Sequence, residues 1–384
     1  MNFYRVNLLK SILLVTGTLS FLFTAGCSNC DTSNENRNVL KPQVVTEKVK
    51  YDTDDPAIWI NPDDPSRSII IGTDKEADGA LYAFDLNGKI IEEKTVRNLQ
   101  RPNNVDIEYG MILNGDTVDI AVATERLANK LRVFSLPDMK AIDNGGIEVF
   151  AGLEQRAPMG ISLYKRPSDG AVYAVVSPKE GPAENYLWQY LLEDDGNGNV
   201  KGTKVRAFGK FSGIKEIESI AVDDELGYVY YSDEQYGVRK YYADPDAADA
   251  DKELGVIYTQ DYKEDNEGIS IYKINDGTGY ILVSDQSANR FRIYTREGTP
   301  AVFDPDDPED NEPARPHLHK LVKIVNVSTN NSDGSEVTNV ALNNIFPAGL
   351  FVAMSDDQTF QYYSWIDIAG DDLVIAPNGE RPEQ

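Results

Sequence analysis

The sequence predicts an all-β chain folded as a six-bladed β-propeller, and three recurring patterns predict it. Six times an apolar run ends in a hydroxyl residue, at Thr73, Thr124, Ser177, Ser232, Ser284 and Ser355, with spacings of 51, 53, 55, 52 and 71 residues. After each hydroxyl comes an apolar residue and, three positions on, an aromatic: Leu81 and Phe84, Leu131 and Phe134, Leu187 and Tyr190, Val238 and Tyr241, Phe291 and Tyr294, Phe360 and Tyr363. Five hydroxyls are also preceded by a short apolar stretch: DPAIW (55–59), NVDIEY (104–109), MGISLY (159–164), ESIAVD (218–223) and EGISIY (267–272). In the sixth unit PAGLFV (347–352) runs almost directly into Ser355.

Repeats of this length mean solenoids, propellers or arrays. The apolar runs are short, β-branched and aromatic, which excludes helical repeats. Three or more short strands per unit fit a propeller blade, so six units give six blades. A seven-bladed ring or a β-helix is the alternative. Closing the ring requires a strand from outside the repeats, near Val44-Val45 or within 373–376.

Residues 1–26 read as a bacterial lipoprotein signal. Arg5 and Lys10 open it without any acid, an apolar stretch covers 11–23, and small residues lead to Cys27. An ordinary signal peptide or a membrane helix is the competing reading, although the apolar run is short of the roughly 20 residues that span a bilayer. Lipidation of Cys27 places an exported protein on the cell envelope, periplasmic or outer-surface, touching membrane only through its anchor. Residues 27–43 then form a polar tether, and 44–384 a single propeller domain, expected as a monomer.

Loss of Arg5 and Lys10 takes the net charge from −26 to −28. That balance argues against nucleic acid as a partner and suggests a need for cations. Cys27 and Cys30 are the only cysteines, so the propeller has neither a disulfide nor a thiol nucleophile.

The last spacing is long because of residues 303–345, which hold DPDDPEDNEPARP and STNNSDGSE. An insertion of this length can be functional, or 304–316 can be a solvated loop. Its His317 and His319 are the only histidines, and no Ser-His-acid set, zinc motif or glycine-rich phosphate loop is visible. An enzyme on this chain must use a metal-activated water. DDGNGNV (194–200) lacks the glycine a calcium loop needs and reads as a hairpin turn.

Two residues past the hydroxyls stand Lys75, Arg126, Lys179, Glu234, Gln286 and Asp357. Rotational symmetry puts equivalent positions in a ring on one face. Three neighbouring cations in an acidic protein suggest an anion site, and Lys with Arg suits phosphate. Pairing with nearby acids such as Glu125 and Glu180 is the alternative. Asp54, Asp55, Glu218, Asp265 and Glu267 precede the inner strands in equivalent places. Clustered carboxylates repel unless protonated or bound to a hard cation, and calcium is the economical explanation; acids that merely face water are the other.

DTDDPAIW (52–59) and NNVDIEY (103–109) resemble the two signature stretches of the β-propeller phytases, the alkaline, calcium-dependent 3-phytases. The likeness continues through TDKE, GISLY, SPKEG, ESIAVDDELGYVYYSDE, DNEGISIY and FPAGLFVA, and covers about residues 44–368. The resemblance implies a phosphoric monoester hydrolase that attacks myo-inositol hexakisphosphate, or related inositol and sugar phosphates, with a calcium-activated water. It implies that Lys75, Arg126 and Lys179 bind phosphate; Glu180, beside Lys179, is expected to orient Lys179 or a calcium-bound water. Asp54, Glu218, Glu234, Asp265 and Glu267 would hold the catalytic calcium ions, and Asp55, Asn103 and the Val105 carbonyl a structural one. A late family aspartate has Asn339 as its nearest match, with Asp333 and Glu336 close by. The sequence departs from the family at Glu76, usually Lys, at Met159, usually Tyr, and at Glu108, often Arg. A six-bladed calcium lactonase or esterase, and a non-enzymatic calcium-stabilised binding propeller, are the alternative functions.

Overall fold

The computed structural model describes residues 38–154, 156–303 and 311–377, with Gly379 and Arg381. Cys27 and the segment ahead of it lie outside the described residues. What is described is a ring of six antiparallel sheets.

Strand β1 (Val44–Val45) stands ahead of the repeats. Blade one is β2 (Thr53–Trp59), β3 (Ile69–Asp74), β4 (Gly79–Phe84) and β5 (Val96–Leu99). Blade two has β6 (Pro102–Leu113), β7 (Asp116–Glu125) and β8 (Lys130–Leu136), with β9 (Lys140–Ala141) and β10 (Ile147–Glu148) both paired to β8. Blade three is β11 (Pro158–Lys165), β12 (Val172–Pro178), β13 (Glu184–Asp194) and β14 (Val200–Lys210). Blade four is β15 (Ile220–Asp223), β16 (Tyr228–Asp233), β17 (Gly237–Tyr242) and β18 (Gly255–Tyr258). Blade five is β19 (Asn266–Asn275), β20 (Thr278–Asp285), β21 (Arg290–Thr295) and β22 (Leu321–Asn326). Blade six is β23 (Ser335–Thr338), β24 (Leu350–Ser355) and β25 (Thr359–Ser364), completed by β1.

Ring closure therefore falls to Val44-Val45, with Val44 opposite Tyr362 and Val45 opposite Gln361. Residues 373–376 form no strand; Leu373 and Ala376 are buried instead beneath Trp365 of the short helix α1 (Trp365–Ala369), whose ring stacks 3.6 Å from Tyr272. The long stretch 303–345 is not one loop, because β22 and β23 lie inside it. The hairpin expected at 194–200 is present, with Asp194 opposite Val200.

Period-two patterning gives each blade two apolar faces, and a blade alone could bury neither. The core accordingly falls into six apolar clusters, one between each pair of neighbouring blades, including blade six against blade one.

The recurring hydroxyls are part of this packing. All six are buried. Thr124 donates to the Met159 carbonyl at 2.7 Å, Ser177 to Ile217 at 2.6 Å, Ser232 to Glu267 at 2.7 Å and Ser284 to Ser332 at 2.7 Å. Each bond runs from a second strand to the inner edge of the next blade. A hydroxyl ends the apolar run because a buried carbonyl of the neighbouring blade needs a donor. Between blades six and one the bond is reversed, with Thr53 donating to the Ser355 carbonyl at 2.7 Å.

Candidate functional site

Four inner strands break register at the same place, between Thr53 and Pro56, Pro102 and Val105, Pro158 and Ile161, and Asn266 and Ile269. A bulge re-aims successive side chains. It turns Asp54, Asn103 and Glu267 toward a shared polar cluster at the strand starts, which Glu218 and Asp333 join from just ahead of β15 and β23.

Asn103 knits the first half of this cluster. Its Nδ2 donates to Asp54 Oδ2 and to Glu218 Oε1, each at 3.0 Å, and its Oδ1 accepts from Arg126 Nη1 at 3.3 Å. Lys75 Nζ lies 2.5 Å from Asp54 Oδ1 and 3.5 Å from Asp333 Oδ2. Gln286 donates to Asp333. Lys179 pairs with Glu216, whereas Glu180 is exposed and makes no ion pair with it.

In the second half, Glu234, Asp265 and Glu267 bring carboxylate oxygens within 4.8 Å of one another, and Glu216, Glu218 and Glu234 form a second such triplet. Lys215 enters the first triplet, with Nζ 2.7 Å from Glu234, 2.6 Å from Asp265 and 3.8 Å from Glu267. Glu234 Oε1 and Glu267 Oε2 are buried without a hydrogen-bond partner.

Other candidates sit elsewhere. Asp55, one residue past Asp54, lies in the central channel, where its Oδ2 accepts from the Val105 amide at 3.1 Å. The bulge thus separates Asp55 and Val105 from Asn103, which faces the upper cluster. Asp106 and Glu336 line the same cavity of about 170 Å³. Asp333 joins Lys75 above, but Asn339 follows the far end of β23 and donates to the Lys273 carbonyl at 2.8 Å. His317 and His319 pack against Tyr228 and Tyr230 of blade four.

Three residues escaped the sequence reading. Lys215 and Glu216 lie in the irregular segment between β14 and β15, which belongs to no repeated pattern. Arg101 stands in a left-handed conformation, φ 59°, with its amide donating to the Glu76 carbonyl at 2.9 Å. Among the described arginines only Arg67, Arg101 and Arg126 make no ion pair. An unneutralised guanidinium in so acidic a chain marks Arg101 as a candidate, and only the structure discloses it.

Electrostatics follow from burial. Burial pushes the Glu234 carboxyl up to about 7 against the pull of Lys215. Burial likewise raises Asp54 and Glu267 well above the carboxylate range, with neighbouring acids adding to it and lysines opposing. Burial would lower the Lys75 ammonium, but Asp54, Glu218 and Asp333 outweigh it and hold it above the usual lysine range. Burial lowers Arg126 first, and the adjacent Arg101 lowers it further.

The Phytase family profile matches residues 10–366. The chain is 30% identical over 334 residues to the 3-phytase of Bacillus subtilis (strain 168), covering 82% of this chain and 80% of that protein. This chain belongs to the phytase family. It is a phosphoric monoester hydrolase. A chain of the Kuenenia stuttgartiensis hydrazine synthase is similar at 11% identity and a TM-score of 0.45, covering 80% of this chain and 82% of that one; a likeness that low bears on neither fold nor activity.

On this phytase scaffold the cluster suits a hard divalent cation. Its donors are carboxylate oxygens, two of them orphaned, and among the described residues no thiolate or imidazole joins them. Asp54, Glu218, Glu234, Asp265, Glu267 and Asp333 are the residues that would hold ions.

The raised carboxylates make the metal-free fold sensitive to pH. Between about 4.5 and 7 folded Glu234 holds a proton that the unfolded chain has released. The native state binds more protons there, so stability falls as pH rises through that window. Calorimetry in chelator should give a lower melting temperature at pH 8 than at pH 5, and a divalent cation at pH 8 should restore it. A melting temperature that climbs from pH 5 to pH 8 in chelator would contradict this electrostatic account.

Proposed function

We propose that this phytase-family chain is a calcium-dependent phytase that removes phosphate from myo-inositol hexakisphosphate and related inositol or sugar phosphates. The observation that carries the reading is the juxtaposition of Lys75, Arg126 and Lys179 with the carboxylate cluster: Lys75 pairs with Asp54, Lys179 pairs with Glu216, and Arg126 reaches the cluster through Asn103. A calcium ion there supplies Lewis acidity toward phosphoryl oxygen and toward water.

The chain's own residues do the rest. Asp54 and Glu218, now partnered by Lys75 and Asn103, would hold an ion, and the Lys75 ammonium would then be available to a phosphate oxygen. The Arg126 guanidinium, already anchored through Asn103, presents its remaining donors, and Arg with Lys is the pairing suited to phosphate. Lys179 exchanges Glu216 for substrate. Arg101, beside Glu76, supplies positive charge to the same rim. Local cations are indispensable, because a chain of net charge −26 repels a polyanion elsewhere on its surface. Export and a lipid anchor at Cys27, carrying a monomeric propeller on the cell envelope, belong to the same reading.

The test is substrate class. With calcium present, purified protein should release phosphate from phytate and leave aliphatic lactones and carboxyl esters intact. Lactone or ester hydrolysis without phosphate release would transfer the assignment to a calcium lactonase, and calcium binding without turnover of either to a binding propeller.

A further inference from the structure

Resting on the reading of the carboxylate cluster as a divalent-cation site, one residue acquires a role that the family match does not supply. Ionised together, Glu234, Asp265 and Glu267 would place three negative charges in a largely buried pocket, and burying like charges together is costly unless something neutralises them. The Lys215 ammonium stands among them, 2.7 Å from Glu234 Oε2, 2.6 Å from Asp265 Oδ2 and 3.8 Å from Glu267 Oε1. Gln235 satisfies the other Asp265 oxygen at 2.8 Å, while Glu234 Oε1 and Glu267 Oε2 stay without a partner. One ammonium compensates part of a charge that a doubly charged, many-coordinate ion would compensate more fully.

We propose that Lys215 is a resident cation of this cage, which holds the carboxylates together in the metal-free protein and which a divalent ion must displace before the three can coordinate it.

Several features suit Lys215 to leave. Its side chain is 37% exposed, so the ammonium has a path to water. It follows the open turn at Gly213 and Ile214, where Gly213 is left-handed with nothing within 4 Å of a Cβ and Ile214 is exposed. A lysine is a compact point charge on a flexible stem, whereas an arginine would lock in with a planar fork. Withdrawn from the cage, the ammonium remains on the rim with Lys179 and adds to the positive face that meets phosphate.

The sign of the effect separates this role from simple structural support. Replacing Lys215 with Ala should lower the melting temperature in chelator, because three carboxylates then lose their counter-ion. The same replacement should tighten calcium binding about tenfold in calorimetric titration of the full chain with calcium chloride, and should enlarge the rise in melting temperature that calcium produces. Lys215→Arg, which keeps the charge, should bind calcium no more tightly than the unaltered protein. If Lys215→Ala is too unstable without metal, it is folded in calcium, stripped in the cold and titrated beside Lys215→Met. Calcium affinity unchanged or weakened in both variants would overturn the competitor role, whatever happens to stability. Absence of calcium binding in the unaltered protein and in both variants would overturn the divalent-cation reading itself, which is a different failure.

Discussion

Lys179→Ala should lower kcat/KM for phytate by about ten- to a hundredfold and leave the melting temperature in calcium nearly unchanged. The ammonium sits beside Glu216 at the edge of the cluster, a third exposed, on the residue that follows β12. A charge-assisted contact of this kind is worth roughly 1.5–3 kcal/mol, and each 1.36 kcal/mol is about tenfold in rate. If the contact persists into the transition state, kcat/KM carries the whole loss. Lys179 pairs with Glu216 and with none of Glu234, Asp265 and Glu267, so the calcium dependence of stability should survive. Unaltered steady-state kinetics on phytate would remove Lys179 from the phosphate site.

Glu267→Gln should do the reverse. The substitution keeps the shape of a buried side chain and removes the carboxylate that a bound ion would draw on. Calcium affinity depends on the count of charged oxygen ligands, so half-maximal phosphate release should need about tenfold more calcium or more. In chelator the melting temperature should hold or rise, since an amide replaces a carboxyl that burial and the neighbouring acids already hold toward its neutral form. In calcium it should fall below that of the unaltered protein. The two curves therefore cross, which loss of packing alone does not produce. The hydrogen bond that Ser232 makes to position 267 is to its carbonyl and is untouched. A Glu267→Gln protein with an unshifted calcium requirement would place Glu267 outside the metal cage.

Much of the fold was legible because a propeller writes its symmetry into the chain. The six hydroxyls mark the same rung of six blades, and the aromatic three residues past the next apolar position marks the third strand. Closure was not legible: Val44-Val45 is two residues long, and only its pairing with Tyr362 and Gln361 distinguishes it from 373–376.

Around the site, positions tied to the repeat were locatable and positions tied to loops were not. Lys75, Arg126, Asp54, Glu218 and Glu267 sit at repeated offsets, and the chain brings them to one end of the ring. Lys215, Glu216 and Arg101 sit in connections whose path depends on tertiary packing, and no periodicity predicts it. The separation of Asp55 from Asn103 has another cause. At the bulge, consecutive residues face different spaces, so Asp54 meets Lys75 while Asp55 meets the Val105 amide. Asp333 and Asn339 differ likewise: β23 carries the chain from one end of the channel toward the other between them. Glu180 looked like the natural partner of Lys179 by adjacency, yet residues side by side at a strand end diverge, and Glu216 from the next connection takes that place.

The most direct test of the central claim is inorganic phosphate released from phytate by the purified chain, first in calcium, then after excess chelator, then after calcium is restored. The account predicts turnover that stops on chelation, with a lowered melting temperature, and returns with calcium. Phosphate release that continues undiminished in chelator would contradict it.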